Sequence, residues 1–285
     1  MANEKINAAE SGAFVLGDIQ VNRLGFGAMR IVGKGVFGPP EDREEAIRVL
    51  RRAVELGINL IDTAESYGPH ISEQLIREAL HPYPDDLLIA TKGGFDRPGP
   101  NSWKENGRPE RLREELEGSL KRLRVDRIDL WQLHRIDPSV PEEEQFGAIE
   151  EFVREGKIRH VGLSETSVEQ IERARKHLTI VSVQNRFNIA DREWEAVLDH
   201  CESAGIGFIP WYPLNTGKLE EGGVLSHIAS KHGATPAQIA LAWLLQRSPV
   251  ILPIPGTSKV SHLEENVASS SIRLTADEIS QLNKM

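Results

Sequence analysis

The sequence is poor in cysteine, has no surplus of positive charge and has no long apolar run. A single cysteine, Cys201, among 285 residues excludes an internal disulfide and any metal site built from paired thiolates. That usage suits a reducing compartment, and a cytoplasmic location is expected. Lys and Arg number 34 against 43 Asp and Glu, a net charge of -9. No basic excess is left to neutralise a nucleic-acid backbone or an anionic membrane surface, so neither is expected as a partner. No apolar stretch approaches the roughly 20 residues of a membrane span, and "MANEKINAAESG" lacks the apolar core of a signal peptide. Residues 1–12 are expected to form a flexible lead, with a single domain over 13–285. The remaining composition, 39% hydrophobic and 27% charged, is that of a globular chain able to bury a substantial core.

What is present is alternation. From residue 14 onward, short apolar runs alternate with segments of helical period, the pattern of parallel strands joined by crossover helices. The strand candidates are "RLGFGAM" (23–29), "INLIDTA" (58–64), "DLLIATK" (86–92), "RIDLWQLH" (127–134), "IRHVGLS" (158–164), "IVSVQN" (180–185), "IGFIPWY" (206–212) and "VILPIPG" (250–256). Helical patterns fall at about 41–56, 70–81, 109–123, 142–155, 167–176, 191–203, 222–247 as a pair, and 259–269. Pro141 precedes "EEEQFGAIEEFV" with its acidic first turn, and Gly57, Gly156 and Gly205 stand just past helix ends. Eight βα units predict one closed (β/α)8 TIM barrel, which typically takes about 250 residues, whereas an open doubly wound sheet uses fewer strands. Ahead of it, "AFVLGDIQVNRL" reads as a hairpin turning at Gly17-Asp18 and capping the barrel bottom. The Gly- and Pro-rich stretch 93–109 follows a strand and reads as a long βα loop.

One motif points elsewhere. "GKGVFG" (33–38) matches the dinucleotide-binding GxGxxG and precedes Asp62 by a Rossmann-like spacing. The third glycine of that fingerprint belongs in the first turn of a helix, yet here Pro39 and Pro40 follow and helical period begins only near Glu41. The glycines therefore belong to a loop.

In a barrel the C-terminal strand ends carry the chemistry. Asp62 ends the second strand with Tyr67 in the loop beyond it, Lys92 ends the third and His134 the fourth. Alone, each has a plainer role as a solvated, ion-paired or packing group. Adjacent strands lie roughly 5 Å apart, so the four can meet. A phenol with a reference pKa of about 10 is a weak acid, and a neighbouring ammonium lowers that value. Lys92 is expected to supply the charge, Asp62 to hold Lys92, and His134 to donate to a substrate carbonyl. Such a group protonates an alkoxide made by hydride attack. HExxH, CxxC, P-loop GK[ST] and GxSxG are all absent, and the nine histidines lack paired ligand spacing, so no metal is expected.

These residues stand in motifs that resemble the aldo-keto reductases over about positions 20–270: "LGFGAM", "DTAESYG" (62–68), "TKGG" (91–94), the "LH" ending strand four, "GLS" (162–164), "QN" (184–185), "WYPL" (211–214) and "IPGTSKVSHLEEN" (254–266). The resemblance implies a catalytic tetrad of Asp62, Tyr67, Lys92 and His134 and a nicotinamide cofactor extended across the barrel's C-terminal face. It implies that Ser164 and Gln184 hold the carboxamide and that Trp211 stacks on the nicotinamide. Gly27 and Ala28 would lie near its ribose, and Leu214 and Thr216 along the pyrophosphate. Gly256, Thr257, Ser258, Lys259 and His262 would surround the adenosine phosphate, with Glu265 and Asn266 at adenine. The implied cofactor is NADPH, with NADH less favoured. Three departures stand out: Glu165 follows Ser164 where many members have Asn, Gly256-Thr257 replaces Lys-Ser, and His262 replaces Arg.

Within the family, "GVFGPP", "SYGPH", "QLIREALHPYPDDL" and "LAWLLQRSP" resemble bacterial pyridoxal reductases. That resemblance implies a flat aromatic aldehyde, with Phe37 and Trp103 for its ring face and Arg30 or Arg135 for its polar substituents. A small-molecule carbonyl is thus the expected partner, in a monomer or weak homo-oligomer. The alternative is a regulatory subunit of the same fold that keeps the cofactor without significant turnover.

Overall fold

The computed structural model describes residues 6–214 and 223–285. Strands β1 (Ala13–Leu16) and β2 (Ile19–Asn22) form an antiparallel hairpin. Then come β3 (Phe26–Gly27), helix α1 (Arg43–Glu55), β4 (Leu60–Asp62), α2 (Ile71–Leu80) and β5 (Leu88–Gly93). A second hairpin of β6 (Phe95–Gly99) and β7 (Ser102–Glu105) interrupts the alternation before α3 (Pro109–Leu123). The pattern resumes with β8 (Ile128–Leu133), α4 (Glu142–Arg154), β9 (Ile158–Ser164), α5 (Val168–Ala174), β10 (Ile180–Gln184), α6 (Glu195–Ala204) and β11 (Gly207–Phe208). Helices α7 (Val224–His232), α8 (Pro236–Arg247), α9 (Val260–Ala268) and α10 (Ala276–Leu282) complete the described chain.

Seven strands form one parallel sheet in the order β11-β10-β9-β8-β5-β4-β3. The segment 250–256 closes it. Phe208 N donates to Val250 O and Leu252 N to Phe208 O, both at 2.8 Å, while Gly25 N donates to Pro253 O at 2.9 Å on the other side. Pro253 and Pro255 carry no N–H, which limits this eighth member to isolated bridges. The architecture is the expected (β/α)8 barrel with its N-terminal hairpin across the bottom.

Side-chain alternation along the strands divides the barrel interior. Leu60, Leu88, Ala90 and Leu130 point inward and cluster with Leu16 and Val21 of the capping hairpin. Two residues further along the same inward face stand Asp62, Lys92 and Gln132. The lumen is thus apolar at the hairpin end and polar at the other. Helices cover the outer face, their starts fixed by local caps: Asp42 accepts from Glu45 N, and Ser167, Thr235 and Thr275 form capping boxes.

Three sequence expectations differ from the structure. The lead is folded from Asn7 on: Ala8–Ser11 form a 3-10 turn, Ala8 is fully buried and donates to Leu56 O at 2.7 Å, and Ser11 Oγ accepts from Leu24 N at 2.9 Å. Small residues let this turn tuck beneath α1. The 93–109 stretch contains the β6–β7 hairpin. Helix α10 was not anticipated, although its Thr275–Glu278 capping box was readable.

Behind the strand ends lies a buried ion cluster. Glu115 of α3 accepts from Gly94 N at 2.6 Å and faces Arg111 at 3.1 Å, while Arg111 also meets Asp96 at 3.1 Å and buried Glu65 at 3.7 Å. With exposed Glu114, 3.0 Å from the same side chain, four carboxylates share one guanidinium. Burial, reinforced by the charge on Glu65, raises the Glu115 pKa to about 8. A raised carboxyl pKa makes the folded state hold a proton that the unfolded chain releases, so the associated stability is full below the unfolded value near 4.5 and is lost as pH rises to about 8. Glu115→Gln keeps an acceptor for Gly94 N and removes the titration. Thermal unfolding followed from pH 5 to 9 should show the variant gaining on the wild type as pH rises toward about 8. Parallel curves would show that Glu115 does not titrate in this window.

Candidate active site

The inward positions at the polar end of the barrel meet at one point. Lys92 Nζ donates to Asp62 Oδ2 at 2.6 Å and to Thr63 O at 2.8 Å, and stands 3.4 Å from Tyr67 Oη. The other Asp62 oxygen accepts from Gln184 Nε2 at 2.8 Å and Gln132 Nε2 at 3.1 Å. Strand register places Gln132 beside Lys92. Lys92 is fully buried and Asp62 nearly so. Burial acts to discharge Lys92, but Asp62 and Tyr67 overcome it and its pKa is raised, leaving an ammonium.

His134 stands edge-on to the Tyr67 ring, with centroids 6.0 Å apart. Burial, then the positive charges of Lys92, Arg135 and Arg97, hold its pKa well below the ordinary value, so the imidazole is neutral. Its Nδ1 lies 3.4 Å from Ser66 Oγ; a hydroxyl donated there leaves Nε2 carrying the ring proton. The expected depression of the Tyr67 pKa is corrected. Burial dominates and raises it, and the Lys92 ammonium only partly offsets that effect.

A cavity of about 870 Å³ opens over these groups and runs to the start of α9. Of the expected residues, Asp62, Tyr67, His134, Gly27, Ser164, Gln184, Trp211, Leu214, Gly256, His262, Arg30, Trp103 and Arg135 line it. Gly27 and Gly256 pack backbone against backbone, and a Cβ on either would come within 2.6 Å of a carbonyl oxygen. Ser164 Oγ accepts from Arg135 at 3.0 Å. Glu165, in a left-handed conformation, accepts from Trp211 Nε1 at 2.5 Å and from Arg186 N at 2.7 Å, so it fixes the indole beside the cavity.

Other expected residues lie off the wall. Phe37 is not in the lining: Gly33 N bonds Gly38 O at 2.9 Å and Val36 turns toward the cavity instead. Its ring backs Arg97, whose guanidinium lies 3.5 Å over Trp103 and 5.8 Å from Phe37. Ala28, Thr257, Ser258, Lys259, Glu265 and Asn266 also stand outside the lining. The Glu265 carboxylate accepts from Thr235 Oγ1 at 2.7 Å at the start of α8. Ser258 and Lys259 are exposed at the start of α9, where Glu45 accepts from Val260 N at 3.0 Å. Thr216 lies outside the described residues. Residues not anticipated include Gln132, Phe95, Arg97, Glu105 and Ser66. Gln132 was readable, being two positions before His134 on the same strand face, and Ser66 adjoins Tyr67 in the loop after β4; Phe95, Arg97 and Glu105 depend on how the β6–β7 hairpin folds over the site.

The profile of the Aldo/keto reductase family matches residues 23–285. An uncharacterized oxidoreductase of Schizosaccharomyces pombe is 52% identical over 284 residues, covering 99% of this chain and 92% of the relative. Pyridoxine 4-dehydrogenase of Escherichia coli is 45% identical over 279 residues, covering 96% and 98%. The crystal structure of an aldo-keto reductase from Klebsiella pneumoniae in complex with NADPH superposes with a TM-score of 0.80 at 26% identity, covering 95% of this chain and 94% of that one. A barrel that gathers Asp62, Lys92 and His134 at its strand ends and Tyr67 in the loop after β4 around one long cavity, with a family match across nearly its whole length, belongs to the aldo/keto reductase family.

Proposed function

We propose that the protein reduces aldehydes or ketones to alcohols with NADPH, and that Tyr67 is the proton donor. The observation that carries this reading is the Tyr67 phenol, 3.4 Å from a buried ammonium that is locked on Asp62. The long cavity with its backbone-only wall at Gly27 and Gly256 fits an extended dinucleotide. Trp211, Ser164 and Gln184 would hold the nicotinamide, Leu214 would line the pyrophosphate, and the start of α9 with Lys259 would hold the adenosine phosphate. When bound, the cofactor supplies a hydride.

The chain's own groups do the rest. A substrate oxygen placed between Tyr67 Oη and the neutral His134 receives two hydrogen bonds, which orient the carbonyl and stabilise charge developing on its oxygen. Tyr67 then gives up its proton, and Lys92 stabilises the phenolate that remains. The similarity to pyridoxine 4-dehydrogenase supports pyridoxal as a candidate substrate, since its aldehyde is reduced to that alcohol.

An NADPH-oxidation screen over pyridoxal, simple aldehydes and ketones tests the reading. Pyridoxal should show kcat/KM well above that of a small aliphatic aldehyde; no turnover with any carbonyl would leave a cofactor-binding regulatory protein instead. Tyr67→Phe should keep the fold and cofactor affinity while lowering kcat by about 100-fold or more, the range of general acid catalysis. Near-normal turnover in that variant would remove Tyr67 from the proposed role.

Cofactor choice has its own test at α9. Lys259→Ala should raise KM for NADPH and leave NADH little changed. The Glu45 carboxylate occupies a backbone N–H that a phosphate would use, so Glu45→Ala, which frees that N–H and removes the negative charge, should lower KM for NADPH by several-fold. Equal changes with both cofactors would show that these residues act on the helix terminus and not on the 2′-phosphate.

A further inference from the structure

We infer that Arg135 selects aromatic aldehydes carrying an anionic oxygen ortho to the carbonyl; this rests on the reductase reading above. Arg135 follows His134 directly and lines the same cavity. One terminal nitrogen, Nη1, donates to His134 O at 2.6 Å and to Ser164 Oγ at 3.0 Å. Those two bonds anchor the guanidinium, and its flank lies 5.6 Å from the Phe95 ring centroid. Both bonds use the same nitrogen, so the remaining donors of the fork stay available to a ligand.

The charge is half-buried and forms no ion pair among the described residues. Glu165 and Glu105 act on it only at longer range, and the Glu165 carboxylate is already engaged by Trp211 and Arg186. An anchored, partly desolvated guanidinium without a carboxylate partner is an anion-recognition group.

Two further observations set the shape of that anion. The surrounding wall is aromatic: Phe95 lies 4.7 Å from His134 and 5.4 Å from Trp103, and Trp103 lies 6.3 Å from Tyr67, all edge to face. A flat ring fits between such faces better than a flexible chain does. Arg135 also lies close enough to Tyr67 for its charge to act on the phenol. Arg135 Nη1 is tied to the carbonyl of His134 itself, so with the substrate carbonyl held at Tyr67 and His134 the ring oxygen nearest Arg135 is the one on the atom adjacent to the aldehyde-bearing ring carbon. A para oxygen lies on the far side of the ring from the carbonyl and so away from a guanidinium anchored beside His134.

Two nitrobenzaldehydes that differ only in oxygen position test this: 2-hydroxy-5-nitrobenzaldehyde and 4-hydroxy-3-nitrobenzaldehyde. The nitro group keeps both phenols ionised near neutral pH. Alcohol formation with NADPH, followed by chromatography, should show kcat/KM about 10-fold or more in favour of the ortho isomer, the scale of one charge-assisted hydrogen bond. Arg135→Gln should bring the ratio to about one, and Arg135→Lys, which keeps the charge and loses the fork, should fall between. An unchanged ratio in both variants would overturn the assignment. So would an equal loss with both isomers and a raised KM for NADPH, since that pattern places Arg135 on the cofactor. If 3-nitrobenzaldehyde, which has no phenol, is reduced by the wild type without any ortho preference between the isomers, the inference fails while the reductase reading stands. No reduction of any of the three would overturn both.

Discussion

The ion pair between Lys92 and Asp62, 2.6 Å long and shielded from water, is the constraint on which the rest of the polar end of the barrel depends. Two charges removed from solvent are stable only when their remaining hydrogen-bonding capacity is met. Here Thr63 O takes a second proton from the ammonium, and the amides of Gln132 and Gln184 cover the second carboxylate oxygen. Those groups come from β4, β5, β8 and β10, so strands on both sides of the lumen are tied to one carboxylate. Substituting either charge alone leaves the other buried without compensation, which costs more than the pair itself contributes.

The pair is affordable in this position because the other half of the lumen is filled without polar groups. Leu60, Leu88, Ala90 and Leu130 pack against Leu16 and Val21 of the capping hairpin, and that apolar plug fixes strand register beneath the site. A one-residue slip would turn Asp62 and Lys92 outward among the helices. Above the pair, Arg97 works in the opposite sense, gathering loops over the cavity. It donates to Ser66 O at 2.6 Å, Ser102 O at 2.8 Å and Gly35 O at 3.1 Å. The glycine-rich 33–38 loop, which imitates a dinucleotide fingerprint in sequence, is therefore part of the cavity rim.

The barrel was legible because alternating apolar runs and helical periods are local signals, and the tetrad because strand ends are predictable once strands are known. The rim was not legible in the same way. Phe37, expected against a substrate ring, backs Arg97, because Val36 and Gly35 take left-handed conformations that turn the side chains. Phe95 reaches His134 only after β6 and β7 pair across the mouth. Such placements are set by contacts between segments distant in sequence, and composition carries no trace of them. Glu165 shows the intermediate case: its identity was noticed as a departure from family pattern, while its bond to the Trp211 indole needed coordinates.

The direction of the Tyr67 shift changes how its environment is understood. An ammonium that merely made the phenol more acidic would leave part of it ionised before substrate arrives, and a phenolate cannot donate. Burial, the larger influence, keeps Tyr67 protonated. A phenol needs no depressed pKa to protonate an alkoxide, since the alkoxide is the stronger base. In the proposed reaction the two influences therefore act at different stages: desolvation holds the proton until charge develops on the substrate oxygen, and Lys92, kept charged by Asp62, stabilises the phenolate once the proton has gone. The neutral His134 fits the same division of labour, because it can donate a hydrogen bond to the oxygen without competing to give up a proton.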